Sequence, residues 1–449
     1  MIKNKESLIK GRFSSERKDL LEALESAFSR VDSYLCVRRF LERKESILEI
    51  GGKRFNLKEV DNIYLISFGK AAVRMAKAVL DTVEVAEGIV VSNGDFTGFP
   101  GNIKYFAGGH PILNENSVSA GEAVLNLTRK TKDSDLTIVL ISGGGSALLE
   151  KPLVPLKDLQ EVTRLLMKSG ADIFELNTVR KHLSEIKGGK LLLHLKGSVV
   201  SLIISDVIGD SLDTIASGPT YFDNSTFSEA LSVLKKYNLL GKAPKSVIEV
   251  FKKGEKGEIP ETLKEDSFIE KRCDNILVAT NFDACRAAAD KLSEKGYSVF
   301  YLGSAIQGES REIAKAVCGI AGEIRRGRID IKPPVAILFG GETTVTVKGN
   351  GIGGRNEEFV LATLPFVSRL NGVVCSIGTD GIDGMSDAAG AIADSDTKKL
   401  AESAGLDWRE YLKNNDSHTF FNRIGSLVYT GKTETNVADI VIFISSNEY

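Results

Sequence analysis

LTIVLISGGGSALL, Leu136 to Leu149, is the stretch that decides the fold. Its first half is short, β-branched and unbroken by charge, as expected of a strand buried on both faces, and its second half is a glycine turn leading into a helix. Three further runs share the first property: IYLIS (Ile63–Ser67), GIVVS (Gly88–Ser92) and VVSLIIS (Val199–Ser205). Helical patterns separate several of them, AAVRMAKAVL (Ala71–Leu80) and NENSVSAGEAVLNLTRK (Asn114–Lys130). This alternation predicts an α/β fold built on a mainly parallel sheet with helices on both faces. Ahead of it, apolar residues at three- and four-residue steps from Leu20 to Leu41 predict an amphipathic helix.

A polar, lysine-rich segment, Lys242 to Asp266, reads as peripheral or interdomain, and apolar strands resume at NILVAT (Asn275–Thr280). A second alternating set follows with YSVFYLG (Tyr297–Gly303), PVAILFGG (Pro334–Gly341), VVCSIGTD (Val373–Asp380), LVYTGKT (Leu427–Thr433) and ADIVIFIS (Ala438–Ser445). Strict period-two alternation in TTVTVKG (Thr343–Gly349) predicts an antiparallel strand or hairpin. At 449 residues two domains are expected. The boundary falls between 220 and 334, and we divide the chain into residues 1–265 and 266–449. Apolar residues at 42%, charged residues at 26% and a net charge of −2 describe an ordinary globular protein with no bulk affinity for nucleic acid or an acidic membrane. The five cysteines lack metal or disulfide spacing, and the first residues carry no signal-peptide pattern, so a cytoplasmic protein with reduced core thiols is expected.

In open parallel sheets, ligands bind beyond the carboxyl ends of the strands, and here those positions are polar and glycine-rich. Lys70 follows the first run beside Gly69, at a helix start where a lysine is unfavourable unless an anion compensates it. The turn Gly143, Gly144, Gly145, Ser146 offers backbone N–H groups to phosphate oxygens, with a purely structural turn as the competing reading. Neither GxxxxGK[ST] nor GxGxxG with its downstream acid is present. Asp206 follows VVSLIIS and Asp380 follows VVCSIG, acids placed as one or two carboxylates of a Mg²⁺ site would be. His110, in AGGHPILNEN, can polarise a substrate or bond to backbone. Arg180, Lys181, Lys187 and Lys190 crowd one stretch that reads as a solvated basic helix. Between Gly340 and Glu358, six glycines precede Arg355, whose fork can clamp a carboxylate or phosphate.

The motifs SFGKAA, GGHPILNENS, ISGGGSALL, LNTVRKHLSEIKGG, SDVIGD, ASGPT, FGGETTVTVKGNGIGGRNEE, GTDGIDG and TGKTETNVADIVI occur in that order, and the chain from Phe68 to Ile442 resembles the glycerate 2-kinase family. The resemblance implies a larger N-terminal Rossmann-like domain and a smaller C-terminal α/β (MOFRL) domain, with the active site in the cleft between them. It implies ATP- and Mg²⁺-dependent phosphorylation of D-glycerate at the 2-hydroxyl, giving 2-phosphoglycerate and ADP. It assigns Lys70 and Arg355 to the active site as catalytic and substrate-binding residues, and to these the strand-end reading adds Asp206 as a catalytic candidate and His110 as a candidate at the substrate. Gly143, Gly144, Gly145, Ser146 and Asn281 are assigned to the nucleotide and Asp206 and Asp380 to the metal, with Glu342 a weaker addition. Whether Lys70 or Arg355 meets the carboxylate or the phosphoryl group stays open, as does a homodimer. Hydroxypyruvate reductase using NAD(P)H, or a kinase of a related small hydroxy acid, is the alternative activity. TGKTETN departs from the family's TGPTGTN, so Lys432 receives no role.

Overall fold

The structure is a computed structural model that describes residues 1–265, 267–269 and 272–445. Asp266, where the second domain is expected to begin, lies outside the described residues. The chain forms two compact units, residues 33–278 and residues 1–32 together with 279–449. The unit of residues 33–278 is built on six strands: β1 (Ile63–Phe68), β2 (Glu87–Ser92), β3 (Ile103–Ala107), β4 (Leu136–Ile141), β5 (Ser198–Ile204) and β6 (Cys273–Ala279). Every residue of β1 and of β4 is buried, as unbroken apolar runs require.

These strands lie in the order β3-β2-β1-β4-β5-β6. Ile66 of β1 pairs in parallel with Ile89 of β2 on one side and with Val139 of β4 on the other, and β2–β3 and β4–β5 are parallel as well. The order reverses between β1 and β4, which opens a crevice at their carboxyl ends. Helix α1 (Ala72–Leu80) leaves β1, the single turn α2 (Gly145–Leu148) leaves β4, and α3 (Ile173–His182) begins behind an Asp172–Glu175 capping box. The lysine-rich segment forms a helix, Lys245–Glu255, whose Val247, Val250 and Phe251 join an apolar cluster with Phe227 and Leu231, so it belongs to this unit's core.

The other unit contains β7 (Ser298–Glu309), β8 (Val335–Thr344), β9 (Gly372–Gly378), β10 (Gly390–Asp394), β11 (Leu427–Val428) and β12 (Asp439–Ser445), in the order β7-β8-β12-β9-β10-β11. The pair β7–β8 is parallel and the remaining pairs are antiparallel. Helix α4 (Arg355–Val367) packs Phe359, Val360 and Leu364 into its core. Residues 1–32 belong here: Arg17, in the helix Ser14–Arg30, donates from Nε to Asp394 at 2.8 Å, and Thr435 Oγ1 donates to the Val31 carbonyl.

The alternating stretch TTVTVKG is not a strand beyond Thr344. Val347 is exposed, so alternation there matches no buried face, and the backbone N–H groups of Lys348 and Gly349 bond to Asn415 Oδ1 instead of a neighbouring strand. LVYTGKT likewise pairs only through Leu427 and Val428. No described helix is long and apolar enough to cross a membrane.

Candidate functional site

Three adjacent strand ends of the parallel sheet carry the expected chemistry. Lys70 follows β1, and its backbone N–H donates to the Gly143 carbonyl at 2.9 Å, which locks this turn to the glycine turn after β4. The next residue, Ala71, donates from its N–H to Ser142 Oγ at 3.1 Å. Asp206 follows β5 and lies against Gly143 so closely that a Cβ there would collide with its Oδ2. A Cβ on Gly144, which has φ +81°, would stand 3.0 Å from His110 Nε2 and 3.4 Å from Lys70 Cγ. The two glycines are therefore needed for the approach of these side chains. Lys70, His110, the Gly143–Ser146 turn and Asp206 thus meet in one unit, at the sheet's reversal point.

Helix α2 is a single turn, too short to contribute much of a dipole. What the turn offers is its backbone: among the described residues, the N–H groups of Gly143, Gly144 and Ser146 have no protein acceptor. Phosphate oxygens are the acceptors such a turn suits. Asp206 beside it fits Mg²⁺, which is held through one or two carboxylates with phosphate oxygens completing its shell. Among the described residues, no group of three or more His, Cys, Asp or Glu side chains is placed to hold a metal ion.

The basic stretch that closes α3 and follows it is not solvated. Lys187 and Glu150 are each 1% exposed and pair at 2.6 Å, with Lys187 Nζ also donating to the Leu149 carbonyl. Ser184 Oγ satisfies the other Glu150 oxygen, and Lys181 bonds Asp223 and Asp213. Lys190 donates to the carbonyls of Lys181 and Ser184, and burial pushes its ammonium down to about 8 against nearby carboxylates. The cluster reads as solvated in sequence because the carboxylates that Lys181 and Lys187 meet come from distant segments. Glu150→Gln should cost about 3–5 kcal/mol in chemical denaturation, since it strands the Lys187 ammonium without its counter-charge. A loss below about 1 kcal/mol, the range of exposed pairs, would mean that water reaches the site.

His182, fully buried, faces the Thr178 carbonyl with Nδ1 and Glu261 Oε2 with Nε2. Burial alone would raise the Glu261 carboxyl, but the His182 bond, the Phe227 N–H and nearby Lys264 bring it down to about 2. Its folded value lies below the ordinary 4.5, so its contribution to stability is present above pH 4.5 and lost as pH falls toward 2. Thermal unfolding of Glu261→Gln should therefore show a flatter loss of Tm across that window than the unsubstituted protein. Parallel curves would remove Glu261 as a source of acid sensitivity.

In the other unit, Arg355 is the first residue of α4, delivered by the Gly353–Gly354 turn. Its fork is already engaged: Nε and Nη2 donate to the two Asp439 oxygens at 2.6 and 3.0 Å, and Nη1 donates to Glu342 at 2.6 Å. This corrects the expectation of an open bidentate clamp, leaving a ligand the outer edge of an arginine whose side chain is 33% exposed. Burial drives the Asp439 carboxyl up to about 6 against the pull of Arg355, so it remains ionised at neutral pH. Asp383, from the GTDGIDG loop, accepts from the N–H groups of Asn356 and Glu357 and so caps α4. Burial, with Glu357 beside it, pushes Asp383 up to about 7. Asp380, three residues earlier, accepts from Ile382 N–H. Asn281 spends both amide protons on the carbonyls of Val437 and Asp439, which makes it a tie between α4's neighbouring segments and leaves no amide proton for a nucleotide. Sequence reasoning places Asp383 among the strand-end acids without giving it a role and misses Asp439, although an acid opening an otherwise apolar strand, as in ADIVIFIS, is the kind of signal that marks such a partner.

A domain of unknown function, DUF4147, matches residues 19–252, and the MOFRL family matches residues 335–439. A glycerate 2-kinase from Pyrococcus horikoshii is 39% identical over 432 residues, covering 95% of this chain and 97% of that protein. The chain belongs to the glycerate 2-kinase family. Another similar protein, a D-glycerate 2-kinase from Thermotoga maritima, is 40% identical over 390 residues, covering 85% of this chain and 90% of its own length. A crystal structure of a glycerate kinase from Thermotoga maritima matches with a TM-score of 0.84 at 36% identity, covering 96% of this chain and 99% of that one. Within this member of the glycerate 2-kinase family, the first match begins inside the helix Ser14–Arg30, which packs in the same unit as the MOFRL residues.

Proposed function

We propose that this protein transfers the γ-phosphoryl group of ATP to the 2-hydroxyl of D-glycerate, giving 2-phosphoglycerate and ADP. The observation that carries the reading, beside family membership, is the convergence of Lys70, the Gly143–Ser146 turn and Asp206 at the reversal point of a parallel sheet. Phosphoryl transfer asks a protein for positioning and charge stabilisation more than for covalent chemistry. In this reading the N–H groups of Gly143, Gly144 and Ser146 hold nucleotide phosphates, and Lys70 neutralises charge on the oxygens of the transferring group. The 2-hydroxyl oxygen bonds to the γ-phosphorus, the bond from that phosphorus to the β–γ bridging oxygen breaks, and the hydroxyl proton passes to Asp206. His110, over Gly144, orients the acceptor, and Arg355 holds anionic oxygen at its outer edge. Asp206 and Asp380 are each a candidate for positioning Mg²⁺ in place of taking that proton. The metal, when bound, neutralises phosphate charge. The reaction belongs to the cytoplasm, where buried reduced thiols are at home.

The test is to run ATP, Mg²⁺ and D-glycerate to completion and identify the product by phosphorus NMR or an enolase-coupled assay. 2-Phosphoglycerate is expected, and 3-phosphoglycerate would overturn the regiochemistry. Rapid oxidation of NADH or NADPH by hydroxypyruvate without ATP would favour the reductase instead.

A further inference from the structure

Helix α3 brings two polar side chains to the glycine turn and the Ser217 loop beside it, Arg180 and Asn177. Arg180 Nη2 donates to the Ser146 carbonyl at 2.7 Å, and among the described residues that is the guanidinium's one hydrogen bond, so Nε and Nη1 have no protein acceptor. Asn177 is 4% exposed; its Oδ1 accepts from Ser217 Oγ at 3.0 Å, and its Nδ2 has no protein acceptor among the described residues. Ser217 Oγ in turn lies 2.9 Å from Ser146 Oγ, so α3, the glycine turn and the Ser217 loop form one hydrogen-bonded frame. The loop is strained there: Ala216 and Ser217 hold φ of 50° and 62°, in the left-handed region that non-glycine residues avoid unless surroundings enforce it.

The donors that Arg180 and Asn177 leave without a protein acceptor are not sealed from solvent, so they face water at the edge of the turn, where a ligand can replace it. Burial pushes the Arg180 guanidinium down from its ordinary value, and the one charge that opposes this is Glu150, whose two oxygens are already taken by Lys187 and Ser184. An arriving oxyanion would supply the missing acceptors and charge together. Its flat, two-oxygen edge is the shape that an arginine fork recognises.

We propose that Asn177 and Arg180 form an oxyanion pocket bordering the Gly143–Ser146 turn, which takes the carboxylate of the hydroxy acid or a phosphate of the nucleotide. The proposal rests on the kinase reading for the identity of its ligand, but not for the existence of the pocket. Steady-state kinetics of the full chain with Arg180→Met should raise KM for one reactant by about 10- to 100-fold, the value of a hydrogen-bonded charge pair, while leaving KM for the other unchanged. A rise for glycerate assigns the carboxylate, and a rise for ATP assigns the phosphate. Arg180→Lys keeps a donor for Ser146 and should recover stability but not KM, and added guanidinium should restore activity to Arg180→Ala. A structural role would reverse that pattern, with Arg180→Lys normal and no rescue. Should Arg180→Met fail to fold, the KM values of Arg180→Lys decide. Unchanged KM for both reactants in the folded variants overturns the pocket. If the unsubstituted protein forms no phosphoglycerate, the kinase reading fails by itself. Calorimetric titration with inorganic phosphate then tests the pocket, where equal binding by the unsubstituted protein and Arg180→Lys would overturn it.

Discussion

Lys70→Ala is expected to lower kcat by about 10²- to 10³-fold, the cost of removing one donor aimed at developing charge. The fold should survive, because the bonds that shape the turn come from backbone: Lys70 N–H to the Gly143 carbonyl and Ala71 N–H to Ser142 Oγ. Alanine keeps both. The side chain runs beside Gly144, next to His110. Binding of nucleotide should change far less than kcat if Lys70 acts on the transferring group, since only interactions stronger in the transition state accelerate the step. Rapid-quench measurement of ADP formation, with thermal unfolding as the control, checks this. Near-normal kcat in a folded variant would remove Lys70 from the reaction.

Arg355→Met is expected to act on two quantities at once. Asp439 is only 5% exposed and loses the fork that neutralises it, so stability should fall by about 3–5 kcal/mol, the cost of breaking a buried pair from one side. Activity should fall as well if the outer edge of the guanidinium holds reactant oxygen. The second substitution that separates these effects is Asp439→Asn. In the double variant the buried charge is gone and an acceptor remains for Asn356 Nδ2, so denaturation should recover much of the lost stability. Activity should not recover. Recovery of both would show that Arg355 serves only to hold Asp439.

Legibility in the sequence tracked how local each determinant is. The runs that became β1, β2, β4 and β5 could be read because burial on both faces leaves a continuous apolar signature. β3, with IKYFA only partly buried, and the short GAIAD of β10 carried too little of it. TTVTVKG carried the alternation without the neighbour that turns alternation into a strand.

By itself, the sequence determined the α/β class, the family and the strand-end positions of Lys70, the Gly143–Ser146 turn and Asp206, since these follow from runs of neighbouring residues and from ordered motifs. Tertiary structure alone decided which side chains face one another. It buried Lys187 against Glu150, closed the fork of Arg355 on Asp439, 84 positions away, and set Arg180 against the Ser146 carbonyl. The physical reason is that a charged side chain's role is fixed by its counter-charge and its access to water, and both are supplied by segments remote in the chain.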